Sequence, residues 1–143
     1  MIKKECAMAN SNFNTKELLA LAIKARERSY SPYSGISVGA ALLTKEGKVY
    51  FGANIENASY SPTVCAERVA FFKAISSGER DFLAIAIAGG ESGKPPKADF
   101  PPCGVCRQVM SEFCKGDFRV IWGDGETITD KPLSEVLPDS FKL

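Results

Sequence analysis

Three of the five cysteines stand at spacings that suit a bound metal. Cys103 and Cys106 form a C-x-x-C motif, and Cys65 lies in a separate segment, C-A-E-R. Both segments are predicted to begin helices, whose positive N-terminal ends favour thiolate over thiol. Three thiolates can fill three positions of a tetrahedral zinc and leave the fourth for water, as in catalytic zinc sites. A C-x-x-C motif taken alone also fits a redox pair or half of a structural zinc site.

The absence of histidine narrows the catalytic mechanisms that the chain can use. The sequence contains no histidine, which excludes His-based triads, His general bases and His metal ligands. Proton transfer must therefore fall to carboxylates, lysines, tyrosines or cysteines. Cys114 comes eight residues after Cys106 and is predicted to point away from a site at the start of that helix, and Cys6 lies near the N-terminus.

Composition predicts the class of protein and excludes some partners. The 143 residues are 45% hydrophobic and 24% charged, which predicts one compact domain with a single core. We expect a flexible tail over residues 1–13 and one domain over residues 14–143. A formal net charge of +1 disfavours nucleic-acid and membrane partners. The odd number of cysteines and the lack of a signal-peptide pattern or a long apolar run predict a reducing, cytoplasmic location.

The hydrophobic pattern predicts the elements that position the cysteines. Apolar residues at helical spacing indicate a first helix from about Thr15 to Arg28, and two apolar segments around 45–47 indicate a β-hairpin. The apolar run at 82–88 and the segment 117–122 fit buried strands, and a short strand and a last helical turn follow. This order predicts an α/β domain in which helices cover a mixed sheet.

Two further helices are predicted to carry the cysteines. Ser61 and Pro62 fit an N-cap followed by a first-turn proline, so Cys65 is expected on the first turn of a helix that ends at Gly78. Pro102 is expected to begin the second helix, which places the C-x-x-C pair on one face of its first turn.

Beyond these patterns, the chain resembles the small homotetrameric cytidine deaminases. The resemblance extends from about Leu18 to Phe141 and is carried by the segments VGAALLTKEGKVYFGANIENASYSPTVCAERVAFFKA, PPCGVCRQVMSEFC and EVLPDSF. The motifs C-A-E-R, NIEN and P-C-G-x-C-R-Q occur together in that family, with Cys where zinc nucleobase deaminases usually have His. The resemblance implies a three-layer α-β-α cytidine deaminase-like fold with a mixed sheet of about five strands.

The implied reaction is hydrolytic deamination of cytidine and 2′-deoxycytidine to uridine and 2′-deoxyuridine, with release of ammonia, as in pyrimidine salvage. The resemblance makes Cys65, Cys103 and Cys106 the ligands of one zinc ion per subunit. Zinc would activate a water for attack on C4 of cytosine, and Glu67 would pass its proton to N3 and then to the leaving amine. The alternative for Glu67 is an ordinary solvated helix glutamate.

The resemblance also implies roles for residues around the zinc. Arg68 would donate to the ligand sulfurs and, with the two helix N-termini, offset their negative charge; its alternative is a surface salt bridge. Asn54 and Glu56 lie two apart on a predicted strand and so face one side, and the resemblance makes them the residues that hold the ribose hydroxyls. The backbone of Ala66 and the side chain of Glu67 would contact the pyrimidine edge.

A homotetramer whose sites are completed by neighbouring subunits is implied as well. Phe141 matches the C-terminal aromatic residue that packs over the base in a neighbour's pocket, and its alternative is a residue that closes the core of its own chain. Tyr60 is expected at an interface near the sugar. Ile36 stands where the family often has Phe, so an aliphatic contact with the base replaces an aromatic one.

Other functions remain open at the level of the sequence. Deaminases of modified cytosine nucleosides, such as blasticidin S, share the zinc motif, although NIEN favours cytidine. A non-enzymatic zinc-stabilised module would normally have four protein ligands and would need no Glu67. A polynucleotide-editing deaminase is disfavoured by the charge pattern. Asp124-Gly125-Glu126 is predicted to form a turn between strands rather than a calcium site.

Overall fold

The computed structural model describes residues 12–143, which form a sheet with helices on both faces. The strands are β1 (Ile36–Thr44), β2 (Val49–Ala53), β3 (Phe82–Glu91), β4 (Arg119–Gly123) and β5 (Ile128–Pro132). The helices are α1 (Thr15–Ala25), α2 (Ala66–Ser76), α3 (Gly104–Phe113) and α4 (Leu133–Val136), and a short 3-10 helix spans Arg26–Arg28. Within the described residues the sheet has five strands in the order β2-β1-β3-β4-β5.

Strand directions bring two helix starts to one end of the sheet. β1 is antiparallel to both β2 and β3, so β2 and β3 run in the same direction. β4 is parallel to β3, and β5 is antiparallel to β4, which confirms the predicted mixed sheet. Because α2 follows β2 and α3 follows β3, both helices begin at the same end of the sheet.

Alternate residues of β1 enter different buried clusters. Ala40 and Leu42 pack on the face that carries α2, α3 and α4, whereas Ala41 and Leu43 pack on the face covered by α1. This alternation follows from the two-residue period of a strand. The three-layer α-β-α architecture is therefore confirmed, and the prediction of a single core is wrong, because the sheet separates two buried clusters.

Two glycines let helices approach the sheet closely on opposite faces. A Cβ on Gly39 would lie 2.1 Å from the carbonyl oxygen of Ala22 in α1, and one on Gly52 would lie 2.0 Å from that of Ala66 in α2. Only a residue without a side chain fits such backbone contacts. Gly52 therefore lets the first turn of α2 pack directly against β2, and this contact determines the position of Glu67.

The start of α2 differs from the sequence prediction. The helix begins at Ala66 with Cys65 as its N-cap, rather than near Pro62. Val64 and Ile55 exchange backbone hydrogen bonds of 3.0 Å in both directions, which holds this part of the chain extended. Helical geometry therefore begins only after this pair.

The other predicted boundaries are close to those observed. α3 begins at Gly104 with Cys103 as its N-cap, two residues later than a start at Pro102. Gly78 ends the α2 region with a left-handed φ of 96°, as predicted. The predicted turn after β4 is confirmed, because the side chain of Asp124 accepts hydrogen bonds from two backbone N–H groups that follow it.

Most of the predicted N-terminal tail, including Cys6, lies outside the described residues. Phe13 is described, and it packs against the face of the sheet covered by α1. The Arg119 guanidinium lies 4.5 Å from the centroid of the Phe13 ring. Among residues 12–143, every helix is too short or too polar to cross a membrane.

Candidate metal centre and active site

The end of the sheet where α2 and α3 begin carries three cysteine sulfurs. The Sγ atoms of Cys65, Cys103 and Cys106 lie within 4.8 Å of one another, and the first two are 3.9 Å apart. Two sulfurs bound to one tetrahedral zinc through bonds of about 2.3 Å lie about 3.8 Å apart. The spacing and the donor type therefore fit the zinc ion that the motifs predict.

The N-terminal ends of α2 and α3, which carry partial positive charge, lie at these sulfurs. Cys65 and Cys103 are the N-cap residues of α2 and α3, and neither makes a side-chain capping hydrogen bond. Cys106 lies buried in the first turn of α3. N–H groups in the first turn of a helix have no partner within the helix, and the helix dipole is positive there. Negative thiolates are therefore stabilised at this place.

Arg68 contacts the cysteine cluster. Its Nη2 donates to Cys65 Sγ at 3.5 Å, and its Nε is buried without a hydrogen-bond partner among residues 12–143. Hydrogen bonding to the Cys106 thiol and the Arg68 cation lower the pKa of Cys65 to about 5. The hydrogen bond to Cys65 and burial raise the pKa of Cys106. Arg68 is thus directed at a ligand sulfur, and the alternative of a surface salt bridge is wrong.

Glu67 lies in the first turn of α2 and is 4% exposed. Burial raises the pKa of its carboxyl to about 7. Glu67 and Cys106 are close enough that each affects the pKa of the other. A carboxyl that titrates near neutral pH can both accept and release a proton there. The structure therefore excludes the alternative of a solvated helix glutamate.

Asn54 and Glu56 lie just beyond β2 rather than on it. Ile55, between them, pairs with Val64, which immediately precedes Cys65. The backbone thus leaves its pairing with β1 at this point and continues extended against the chain that leads to α2. The two side chains reach the same segment, residues 29–38, as an extended chain with a two-residue period allows.

The amide of Asn54 is occupied by contacts within the chain. Its Nδ2 donates to the carbonyl oxygen of Ile36 at 2.8 Å. Its Oδ1 accepts from the backbone N–H of Val38 at 2.9 Å and from the hydroxyl of Ser29 at 2.5 Å. Asn54 is also buried. Its observed role is therefore to fix the start of β1, where Ile36 lies half-buried.

Glu56 faces an open cavity of about 370 Å³, which is lined by Tyr33, Ser34, Glu56, Tyr60 and Thr63. Its carboxylate accepts hydrogen bonds from the backbone N–H groups of Tyr33 at 2.9 Å and Ser34 at 3.1 Å, and from the Ser34 hydroxyl. The bond from the Ser34 hydroxyl and these two N–H groups lower the pKa of Glu56. An ionised, firmly placed carboxylate is suited to accept hydrogen bonds from a ligand's hydroxyl groups.

Two aromatic residues form the rim of this cavity. Tyr60 is 74% exposed and has a left-handed backbone with φ of 59°. The rings of Tyr33 and Tyr60 meet edge to face with centroids 6.4 Å apart. Sequence reasoning found Tyr60 but assigned no role to Tyr33 or Ser34. The several hydroxyl side chains of residues 29–35 were an available signal, yet only the fold places Tyr33 and Ser34 beside Glu56.

Phe141 and Cys114 are not members of the cysteine cluster. Phe141 is 66% exposed, and its backbone carbonyl accepts a hydrogen bond from Gln108 Nε2 at 3.2 Å. Phe141 therefore does not close the core of its own chain. Cys114 is the buried C-cap residue of α3, at the opposite end of that helix from Cys103, as predicted. Burial raises the pKa of the Cys114 thiol to about 12.

Comparison with known proteins shows which family has this cysteine cluster and this fold. Residues 13–123 match the family model described as the cytidine and deoxycytidylate deaminase zinc-binding region. The chain belongs to this family. Its zinc-binding region contains the cluster of Cys65, Cys103 and Cys106, and the family's α/β fold agrees with the five-stranded sheet of the described residues.

Similar members of the family match almost the whole chain. The chain is 52% identical over 125 residues to a cytidine deaminase of Halalkalibacterium halodurans, which covers 87% of this chain and 91% of that protein. It is 46% identical over 132 residues to a cytidine deaminase of Sporosarcina psychrophila, covering 90% and 91%. The crystal structure of a cytidine deaminase from Burkholderia pseudomallei superposes with a TM-score of 0.81 at 42% identity and covers 90% of this chain and 100% of that chain.

Replacing any one ligand cysteine with serine is expected to abolish stoichiometric zinc binding, because a neutral hydroxyl is a far poorer zinc ligand than a thiolate. Metal analysis of purified Cys65→Ser, Cys103→Ser and Cys106→Ser tests this. Cys114→Ala is the control and should keep the zinc content of the parent protein, since Cys114 lies outside the cluster. Full zinc content in a ligand variant would contradict the assignment.

Proposed function

We propose that this chain catalyses the zinc-dependent hydrolytic deamination of cytidine and 2′-deoxycytidine to uridine and 2′-deoxyuridine, with release of ammonia, as a step of pyrimidine salvage. The observation that carries the proposal is the buried Glu67 beside a cluster of three cysteines. Three protein ligands leave one tetrahedral position for water. The similar proteins of Halalkalibacterium halodurans and Sporosarcina psychrophila are cytidine deaminases.

The chain's own residues divide the work of the reaction. Bound zinc would supply an activated water and a Lewis acid. Cys65, Cys103 and Cys106 would hold the metal, and Arg68 would stabilise the thiolate of Cys65. The carboxylate of Glu67 would take a proton from the attacking water and deliver it to N3 of cytosine. The second proton of that water would leave on the amino group as the bond from C4 to nitrogen breaks.

The pyrimidine edge would meet the start of α2. Ala66 is the first residue of this helix, so its N–H has no acceptor within the helix and is free to donate to the base. Glu67 follows it and would hydrogen-bond N3 when protonated. Ile36 would give the base an aliphatic contact, at the start of the strand that Asn54 holds in place.

The sugar would lie in the cavity that Glu56 faces. Its ionised carboxylate would accept hydrogen bonds from the ribose hydroxyls. The amide of Asn54 is already bonded to backbone groups of β1, so it would contact the sugar only by sharing or exchanging one of those bonds. Glu56 is therefore the stronger candidate for recognition of the sugar.

Glu67→Gln is expected to lower kcat for cytidine by about 100- to 10,000-fold, because the amide cannot accept the proton while its size is unchanged. The fall in cytidine absorbance measures the rate, and metal analysis checks that zinc content is unchanged. Glu112→Gln is the matched control, since Glu112 is exposed on α3 and makes no side-chain hydrogen bond among the described residues.

Two outcomes of that assay would refute parts of the proposal. Parent-like kcat in Glu67→Gln would exclude Glu67 as the proton carrier. If the parent protein carries stoichiometric zinc and converts neither cytidine nor 2′-deoxycytidine, the substrate assignment is wrong, and a modified cytosine nucleoside becomes the substrate to assay.

Glu56→Gln is expected to reduce kcat/KM for cytidine by about 10- to 100-fold, because a charged hydrogen-bond acceptor for the sugar is lost. Steady-state kinetics on the variant measure this, and the zinc content should be unchanged. Glu46→Gln, in the exposed turn after β1, is the control and should have the parent's kcat/KM. A parent-like kcat/KM in Glu56→Gln would show that the carboxylate does not hold the sugar.

We also propose a homotetramer in which neighbouring subunits complete each site. Support comes from large apolar side chains left exposed on the single chain, above all Phe141 and Tyr60. Phe141 of one subunit would cover the base in a neighbour, and Tyr60 would lie at an interface near the sugar. Analytical ultracentrifugation should give a mass about four times the 15.4 kDa of one chain. Full activity of a monomer would contradict the proposal.

A cytoplasmic location completes the proposal. Three thiols within 4.8 Å of one another would be open to oxidation outside a reducing compartment. Loss of zinc on mild oxidation of the purified protein, reversed by a thiol reductant, would support this requirement. Unchanged zinc content after the same treatment would show that the site does not require a reducing compartment.

A further inference from the structure

We propose that Arg107 is a positioning residue whose guanidinium holds the peptide group before Cys103 and so keeps this sulfur in place for zinc. The inference rests on the metal site of the proposed function. Arg107 lies in α3, directly after Cys106. Its backbone N–H donates to the carbonyl oxygen of Cys103 at 3.0 Å, and its side-chain Nε donates to that of Pro102 at 2.8 Å. The first of these is the ordinary helical bond that any residue at this position makes, so the contribution of the Arg107 side chain is its bond to Pro102.

Cys103 needs such support more than the other two cysteines. It is the exposed member of the cluster, and its side chain makes no capping hydrogen bond at the start of α3. Cys106 is buried within the helix, and Cys65 accepts a hydrogen bond from Arg68. The direction of the Cys103 side chain therefore depends on the orientation of its backbone, and the Arg107 guanidinium bonds the carbonyl of the peptide group that precedes it.

The far end of the Arg107 side chain is itself anchored. Its Nη1 donates to the carbonyl oxygen of Val136 at 2.8 Å. Val136 is the last residue of α4 and is buried in the same cluster as Cys106. The ion pairs of residues 12–143 do not include Arg107, so its guanidinium is directed at two backbone carbonyls rather than at a carboxylate. The planar fork thus links the peptide before Cys103 to a packed element.

Charge alone does not explain this arrangement. Lysine would keep the positive charge, but its single ammonium group cannot reproduce the fixed fork that reaches two carbonyls at once. Partners that orient metal ligands typically change metal affinity by about 10- to 100-fold when they are removed. Both Arg107→Gln and Arg107→Lys are therefore expected to weaken zinc binding by about 10- to 100-fold.

Competition with a chromogenic zinc chelator measures this affinity. Arg80→Gln is the matched control, because Arg80 also bonds two carbonyls through one guanidinium, those of Ile75 at 2.9 Å and Glu79 at 2.7 Å. These bonds lie at the end of α2 opposite Cys65, so Arg80→Gln should keep the parent's zinc affinity. Parent-like affinity in Arg107→Lys would overturn the proposal, since charge without the fork would then suffice.

Two further readouts separate positioning of the ligand from support of the fold. Cobalt bound in place of zinc should show an altered thiolate-to-metal absorption in Arg107→Lys, whereas Arg80→Gln should keep the parent spectrum. Urea unfolding with excess chelator gives stability without metal. A loss of stability with unchanged zinc affinity and unchanged cobalt spectrum would show a merely structural role and refute the proposal.

The same titrations distinguish this proposal from the proposed function. If the parent binds zinc and deaminates cytidine while both Arg107 variants keep parent affinity, only the positioning role fails. If the parent binds no zinc, both fail. Should Arg107→Gln not fold, Arg107→Lys, which retains the charge and most of the side chain, decides the question.

Discussion

Three sulfurs within 4.8 Å of one another repel strongly once they lose their protons, and the rest of the site depends on the positive charge that offsets this repulsion. Two unit charges 4 Å apart near a protein surface repel by about 4 kcal/mol. The N-terminal ends of α2 and α3 and the Arg68 guanidinium supply compensating positive charge without any metal. A divalent ion would add the largest share, so this arrangement of thiols suits a bound cation.

The sheet makes this meeting of helix ends possible. β2 and β3 run in the same direction because each is antiparallel to β1, so the helices that follow them begin at one end of the sheet. Gly52 then lets the first turn of α2 lie directly against β2. A larger residue there would displace the turn that holds both Cys65 and Glu67. The positions of Cys65 and Glu67 thus depend on one close backbone contact.

Sequence reasoning succeeded where the signal is local. The cysteine types and spacing indicated a candidate metal cluster, and the apolar runs predicted the strands within a few residues. It failed at the start of α2, because the pairing of Ile55 with Val64 joins segments whose contact no local pattern reveals. The bonds of the Asn54 amide to Ile36 and Val38 likewise join segments whose contact no local pattern reveals.

Glu67 and Glu56 carry the same chemical group, and their surroundings shift its pKa in opposite directions. Glu67 is buried by the packing of α2 on the sheet, and burial raises its pKa to about 7, so it can carry a proton at neutral pH. Glu56 is partly exposed and accepts hydrogen bonds from Tyr33 and Ser34, which lower its pKa and keep it ionised. A carboxylate that stays charged is a poor proton carrier and a dependable hydrogen-bond acceptor. Under the proposed function, proton transfer would therefore fall to Glu67 and recognition of the sugar hydroxyls to Glu56, because the fold gives two residues of the same type opposite pKa shifts.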